Sequence, residues 1–274
     1  MSGVGVRLRV RHETSYHYDA PVMAMTQLLR LAPRPHDGQR VLSWQVRVMP
    51  GRPLPSFIDG FGNIVHCHAI NHPHRAVTIL VAGEVETEAT DGVVRGAAEP
   101  LPPPFFLRET RLTAAEPAIV DFARGIGGGN SVLTVLHALM RAVGERVAYR
   151  PGVTDTATTA TEALARGGGV CQDHAHLFVA AARARGIPAR YVGGYLWTGM
   201  APEHDQASHA WAEAFVPDIG WVGFDPSNGV CPTEAYIRTS VGLDYLAAAP
   251  TRGIRRGDAA ETLAVAVAVT AGDQ

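Results

Sequence analysis

Lysine is absent. All 24 positive side chains of this 274-residue chain are Arg, set against 26 Asp and Glu for a formal charge of −2. Without a basic excess there is no field to gather nucleic-acid phosphates or the headgroups of an anionic membrane, so neither partner is expected. Twelve His are the remaining reserve of positive charge and act mainly below neutral pH. Cysteine is scarce as well. Cys67, Cys171 and Cys231 cannot all pair and show no CxxC spacing, which argues against a disulfide framework. Long apolar runs are also missing: the stretch 263–269 is far too short to span a bilayer. The first residues pass straight into an alternating pattern, without the apolar stretch of a secretory signal. A cytoplasmic, reducing setting is the expectation. The missing Lys itself fits an Ala-, Arg-, Val- and Gly-rich chain from a high-GC genome, where Arg replaces Lys by codon bias.

What is present describes a folded protein. Hydrophobic residues make up 46% and charged residues 18%, a balance that excludes a disordered chain. The length suits one large domain or two smaller ones. Val6, Leu8 and Val10 alternate with Arg7, Arg9 and Arg11, the period-2 signature of a half-buried strand. Val41, Trp44, Val46 and Val48 continue it until Pro50 and Gly51 break the pattern. Phe61-Gly62-Asn63 reads as a hairpin turn, and residues 77–81 and 83–87 as further strands. Residues 1–100 therefore form an antiparallel, sandwich-like β domain. Pro100, Pro102, Pro103 and Pro104 stiffen a connection over 101–112. Residues 113–274, ending in a strand, form an α+β core.

Within that core the period changes. Thr113 and Glu116 have capping-box spacing ahead of Pro117. Asn130 is placed to cap a helix whose apolar face is Val132, Val135, Leu136, Leu139, Met140 and Val143. Thr158 or Thr159 opens a short helix ending at Gly167. Three glycines then lead into a helix from Cys171 to Arg185, stopped by Gly186 and Pro188. Residues 191–197, 208–216 and 221–225 read as strands.

Cys171 stands out on physical grounds. It follows a Gly-rich turn at the first turn of a helix, where free N–H groups and the helix dipole favour a thiolate. The same N–H groups suit an oxyanion formed when that thiolate attacks a carbonyl. Such a nucleophile needs a base and a residue to hold the base. His209 opens one strand and Asp225 closes the next. With 215–219 as the connecting loop, Ala214 faces Gly220 and His209 comes opposite Asp225, within reach of a carboxylate–imidazole hydrogen bond.

These residues are also familiar. Gly169-Val-Cys171-Gln-Asp173-His-Ala-His176, Arg185-Gly-Ile-Pro-Ala-Arg190-Tyr-Val-Gly-Gly-Tyr195, Ser208-His209-Ala-Trp211 and Gly220-Trp-Val-Gly-Phe-Asp225-Pro-Ser-Asn228 closely resemble the core of the bacterial transglutaminase-like superfamily. Tyr16-His-Tyr18-Asp-Ala-Pro21 and Leu29-Arg-Leu-Ala-Pro33 resemble the β domain that precedes this core in many members. The resemblance implies a papain-like fold with Cys171 as nucleophile, His209 as general base then acid, and Asp225 as its orienter. It implies cysteine-protease-like cleavage of a peptide or amide substrate through a thioester. Transfer to an amine, as in a true transglutaminase, and a non-catalytic scaffold on the same core are the alternatives. Tyr149 is the candidate side-chain oxyanion donor. Gln172 and Asp173 have equal claim to a capping role.

No cofactor or metal is expected. His66 and His68 alternate with Cys67 on a strand, so the two imidazoles and the thiol face opposite ways, near His72 and His74. Cys171, His174 and His176 diverge around a helix. Tyr191, Tyr195, Trp197 and Trp211 are candidates for cleft walls or core, and Arg183, Arg185 and Arg190 for solvated or ion-paired positions. Oligomeric state has no signature. One consequence of the missing Lys survives the codon-bias reading. A thioester on Cys171 finds no ε-amine on its own chain, so lysine self-cross-linking is excluded and only the α-amino group remains as an internal acceptor.

Overall fold

Period-2 alternation builds the first half of the protein, and the burial pattern follows it residue by residue. The computed structural model describes residues 5–49, 54–127, 129, 131–199 and 208–272. The Pro50–Gly51 break and the Asn130 cap lie outside the described residues. In strand β1 (Val6–Val22), Leu8, Val10, His12, Thr14, Tyr16 and Tyr18 are buried while Arg7, Arg9 and Arg11 face solvent. Strands β2 (Ala24–Ala32), β3 (Gln39–Met49), β4 (Ser56–Ile58), β5 (Ile64–Ile70) and β6 (His74–Thr87) follow, with the two-residue strand β7 at Val93–Val94. Strands β1 to β6 contribute to two stacked antiparallel sheets whose inner faces share a core of Val22, Leu29, Val48, Val77 and Ile79.

After the Pro-rich connection come α1 (Pro117–Gly125), α2 (Val132–Arg146), β8 (Ala148–Tyr149), α3 (Ala160–Arg166), β9 (Gly168–Gly169) and α4 (Cys171–Ala184). Strands β10 (Ala189–Leu196), β11 (Ser208–Val216), β12 (Gly220–Phe224) and β13 (Tyr236–Gly242), helix α5 (Tyr245–Ala248), and strands β14 (Thr251–Arg256) and β15 (Glu261–Ala271) complete the chain. The architecture is α+β. A five-stranded sheet ordered β13-β10-β11-β12-β7 carries α4 on its face, and α1, α2 and α3 pack around α4. Ala180, Ala181 and Ala182 let that helix approach the sheet closely, and Leu177 and Phe178 are fully buried beside them. Burial of each large side chain of this kind contributes roughly 1.5–3 kcal/mol. Among the described residues no helix is long and apolar enough to cross a membrane.

Strand partners cross the division drawn at 101–112. The C-terminal strand, grouped by sequence with 113–274, pairs antiparallel with β1, and β14 pairs with β2. In return β7, from the first hundred residues, extends the core sheet beside β12. Alternation reveals that a strand exists but carries no information about its partner.

Helix ends differ in detail from the sequence reading. No capping box forms at Thr113: Thr110 caps a short 3-10 turn over Arg111–Thr113 instead. Glu116 becomes the N-cap of α1 without a side-chain bond, because the residue before Pro117 is pushed into an extended conformation. Ser131 caps α2, its Oγ accepting from Thr134 N at 3.2 Å. Thr159 and Glu162 close a reciprocal capping box on α3, and Gly167 ends it at φ +61°. Arg183 is buried and Arg185 half-buried, and both are held by backbone carbonyls. Arg183 donates to the carbonyls of Phe106, Ala189 and Leu243 and to Thr113 Oγ1. Arg185 donates to Ala123 and Ile126 carbonyls. Arg190 is ion-paired and fully buried, with Glu213 on one side and Glu99 on the other.

Candidate active site

Placement of the nucleophile is decided by the turn before it. Gly169 must be glycine, because a Cβ there would lie 2.6 Å from Asp173 Oδ2. That contact is used: Asp173 Oδ2 accepts from Val170 N at 2.8 Å and from Thr154 Oγ1 at 2.7 Å. Asp173 therefore caps α4 rather than serving the cleft, and Cys171 is fixed as the first helical residue. Its N–H, at the first helical position, has no carbonyl one turn back within the helix.

The base arrives on the neighbouring sheet. His209 lies directly opposite Gly194 in the β10–β11 pairing. The β11–β12 register is two residues tighter than expected, with Val216 facing Gly220 and Ala212 facing Phe224. His209 and Asp225 are thus diagonal rather than directly opposed. A shift of two preserves the face, so the side chains still meet. His209 Nε2 lies 2.6 Å from Asp225 Oδ2, which leaves Nδ1 as the ring nitrogen free for Cys171 in the same cleft. Trp211 stacks on the imidazole at 6.3 Å between ring centroids.

Asp225 is held from every side. Oδ2 also accepts from Asn228 Nδ2 at 2.7 Å and from Tyr236 OH at 2.8 Å. Oδ1 accepts from the backbone N–H groups of Ser227 and Asn228. Burial alone would raise this carboxyl, but the bond to His209, then those to Tyr236 and Asn228, hold it below its usual value. Burial likewise opposes a charge on His209. The bonds to Asp225 and Cys171 win, and its pKa is pushed up to about 10. The imidazole is therefore charged at neutral pH and faces the sulfur.

A second layer locks this turn. His174 Nε2 meets Val147 O at 2.6 Å and its Nδ1 meets Ser227 Oγ at 3.0 Å, tying the helix to the Asp225 loop. Tyr149 stacks on His174, half exposed. Burial raises its phenol first, and the neighbouring Cys171 and Asp225 add to that, so the ring stands beside Cys171. Tyr236 had no sequence signal, since it comes from a third strand eleven residues beyond Asp225. Asn228 was visible only as part of a motif.

A cleft of about 440 Å³ opens over the sulfur. Tyr191, Tyr195, Gly193 and Gly194 of β10 form one side. His12 and Thr14 of β1 belong to the wall, His12 bonding Tyr195 OH at 2.9 Å and Thr14 Oγ1 at 2.8 Å. Trp197 instead packs into the core where the sandwich meets the catalytic half. The group His66, Cys67, His68, His72 and His74 gives no set of three metal-ligating side chains among the described residues, nor does Cys171 with His174 and His176.

Comparison with known proteins is consistent with this geometry. Residues 120–226 match the transglutaminase-like superfamily core, and residues 8–86 match the bacterial transglutaminase-like N-terminal region. An uncharacterised protein of Mycobacterium leprae is 32% identical over 286 residues, covering 96% of this chain and 98% of the relative. A protein-glutamine gamma-glutamyltransferase of Pseudomonas aeruginosa is 35% identical over 97 residues, covering 32% of this chain and 14% of that one. The crystal structure of a candidate cysteine protease from Cytophaga hutchinsonii superposes with a TM-score of 0.82 at 20% identity, covering all of this chain and 93% of the other, which shows a shared fold.

Proposed function

We propose, starting from a chain that belongs to the transglutaminase-like superfamily, that this protein cleaves an amide or peptide bond through a thioester on Cys171. The observation that carries the reading is the 2.6 Å hydrogen bond between His209 and Asp225 in the cleft that Cys171 also lines, with His209 charged at neutral pH. The Cys171 thiolate attacks the amide carbonyl carbon and a C–S bond forms. The oxyanion is met by the N–H of Cys171. The His209 imidazolium gives its proton to the leaving nitrogen as the C–N bond breaks, leaving a thioester and a free amine. A water then loses a proton to the neutral imidazole and attacks the thioester. The C–S bond breaks, the acid departs, and the imidazolium–thiolate pair is restored. Asp225 keeps Nε2–H in place throughout and never itself takes the proton.

Labelling with a thiol-reactive amide analogue tests this. The wild type is expected to take up one equivalent at Cys171, and Cys171→Ala is expected to lose both labelling and amide cleavage. Undiminished labelling of that variant at neutral pH would overturn the assignment.

A second reading sends the same thioester to an amine instead of water. What favours it is the similarity of about a third of the chain to the Pseudomonas gamma-glutamyltransferase. Mass analysis after incubation with a glutamine peptide and a labelled primary amine separates the outcomes: hydrolysis adds 1 Da per converted glutamine, whereas transfer adds the label.

A further inference from the structure

The cover over one face of β15 changes along its length. Pairing with β1 sets Val269 opposite Val10, Val267 opposite His12, Val265 opposite Thr14 and Leu263 opposite Tyr16. Directly opposed residues of an antiparallel pair share a face, and all four β1 partners are buried. The four β15 side chains therefore point to the inner side of their sheet. Val269 is 1% exposed, in a cluster with Tyr195 and Ile237 of the catalytic half, and Val267 is half-buried at its margin. At Val265 and Leu263 that cover stops, and the two are 54% and 52% exposed. Both line the cleft that also holds Cys171 and His209.

An inner face that has lost its cover tolerates polar side chains, yet the strand keeps Val and Leu there. Its outward positions, Ala264 and Ala266, are small, so the apolar bulk of the strand is turned toward the cleft. Tyr245 and Pro250 add apolar surface to the same space. An exposed apolar patch inside a concave site marks where a ligand packs. Charge at this end is scarce. His12 is neutral at pH 7, since burial lowers it to about 4. Glu261 is the carboxylate lining the cleft here, and it is already paired with Arg255 at 3.8 Å. It repels an acidic side chain and is engaged toward a basic one.

We propose that Leu263 and Val265 form the floor of a side-chain subsite, so that the protein selects peptides carrying an aliphatic or aromatic residue near the amide it attacks. The proposal deepens the thiol acyl-transfer reading and rests on it, because the subsite belongs to the cleft of the nucleophile. Selection is thereby assigned to the sandwich and chemistry to the catalytic half.

Fluorescence anisotropy with the Cys171→Ala protein measures binding without turnover. The probes are dye-labelled, end-blocked Gly/Ala octapeptides with a central Gln, in which one position at a time carries Leu, Phe, Asp or Lys. At one or more positions Leu or Phe is expected to bind about tenfold more tightly than Ala, Asp or Lys. Leu263→Thr combined with Val265→Thr is expected to remove that preference. The same exchange on the outer face, Ala264→Thr with Ala266→Thr, is expected to leave it intact, which separates loss of the subsite from damage to the strand. No apolar preference at any position, a stronger preference for Asp or Lys, or equal effects of the two double variants overturns the subsite. Failure of the acyl-transfer reading would show elsewhere, as absent labelling of wild-type Cys171 while the apolar peptides still bind.

Discussion

Two buried polar sites treat their oxygens in opposite ways. Around Asp225 each carboxylate oxygen is occupied, by His209, Asn228 and Tyr236 on Oδ2 and by two backbone N–H groups on Oδ1. Around Gln27 an equally buried oxygen has no partner, and the nearby Arg255–Glu261 pair stays open. The first arrangement holds an imidazole in one orientation before any substrate arrives. The second leaves a buried acceptor unpaired.

The largest effect should come from emptying the saturated end of its charge. Asp225→Asn keeps the shape but removes the anion that holds His209 up at about 10. A loss in kcat on the order of 10³ to 10⁴ is expected. The pH profile supplies an independent readout. Because the folded pKa of His209 is raised above 6.5, its contribution to stability is complete below that value and is lost as pH rises through about 10. Asp225 has the opposite sign: its depressed folded pKa contributes above 3.8 and is lost as pH falls through the folded value. Wild-type Tm should therefore fall between pH 6.5 and 10 more steeply than that of Asp225→Asn. Parallel melting profiles would contradict the charged-imidazole description.

A smaller effect is expected from Tyr236→Phe, which removes one of three donors to Oδ2. One charge-assisted bond of this kind contributes about 1.5 kcal/mol. We expect kcat to fall about tenfold, the equivalent of that bond, with KM unchanged, because the ring still packs against Trp211 and His209. A change in KM at constant kcat would place Tyr236 on the substrate instead.

The same contrast explains what the amino-acid sequence discloses. Cys171, His209 and Asp225 were legible because each sits where a local pattern begins or ends: three glycines before a helix, a strand start, and a strand end before proline. Their pairing was legible only up to an even register shift, since the face is set by alternation while the loop count is not. Tyr236 and Gln27 were not legible. Both are ordinary inward-facing strand residues, and their roles follow from which strands the chain brings beside them. The return of β14 and β15 to the sandwich sets the surroundings of Gln27, and nothing in an alternating stretch states that return.

The smallest effect tests vacancy directly, through stability alone. If Gln27 Oε1 is unpaired in the free protein, replacing the amide with an apolar chain of the same length removes a desolvation cost and breaks no bond to that oxygen. Gln27→Met should therefore be neutral or stabilising by up to about 1 kcal/mol in denaturant unfolding. Asn63 is the control at equal burial. Its Nδ2 donates to Asp59 Oδ2 and Val241 O, and its Oδ1 accepts from Val241 N. Asn63→Leu leaves those groups stranded, and a loss of roughly 2–3 kcal/mol is expected. Equal losses at both positions would mean that Gln27 is already satisfied in solution. The contrast between the two sites would then disappear.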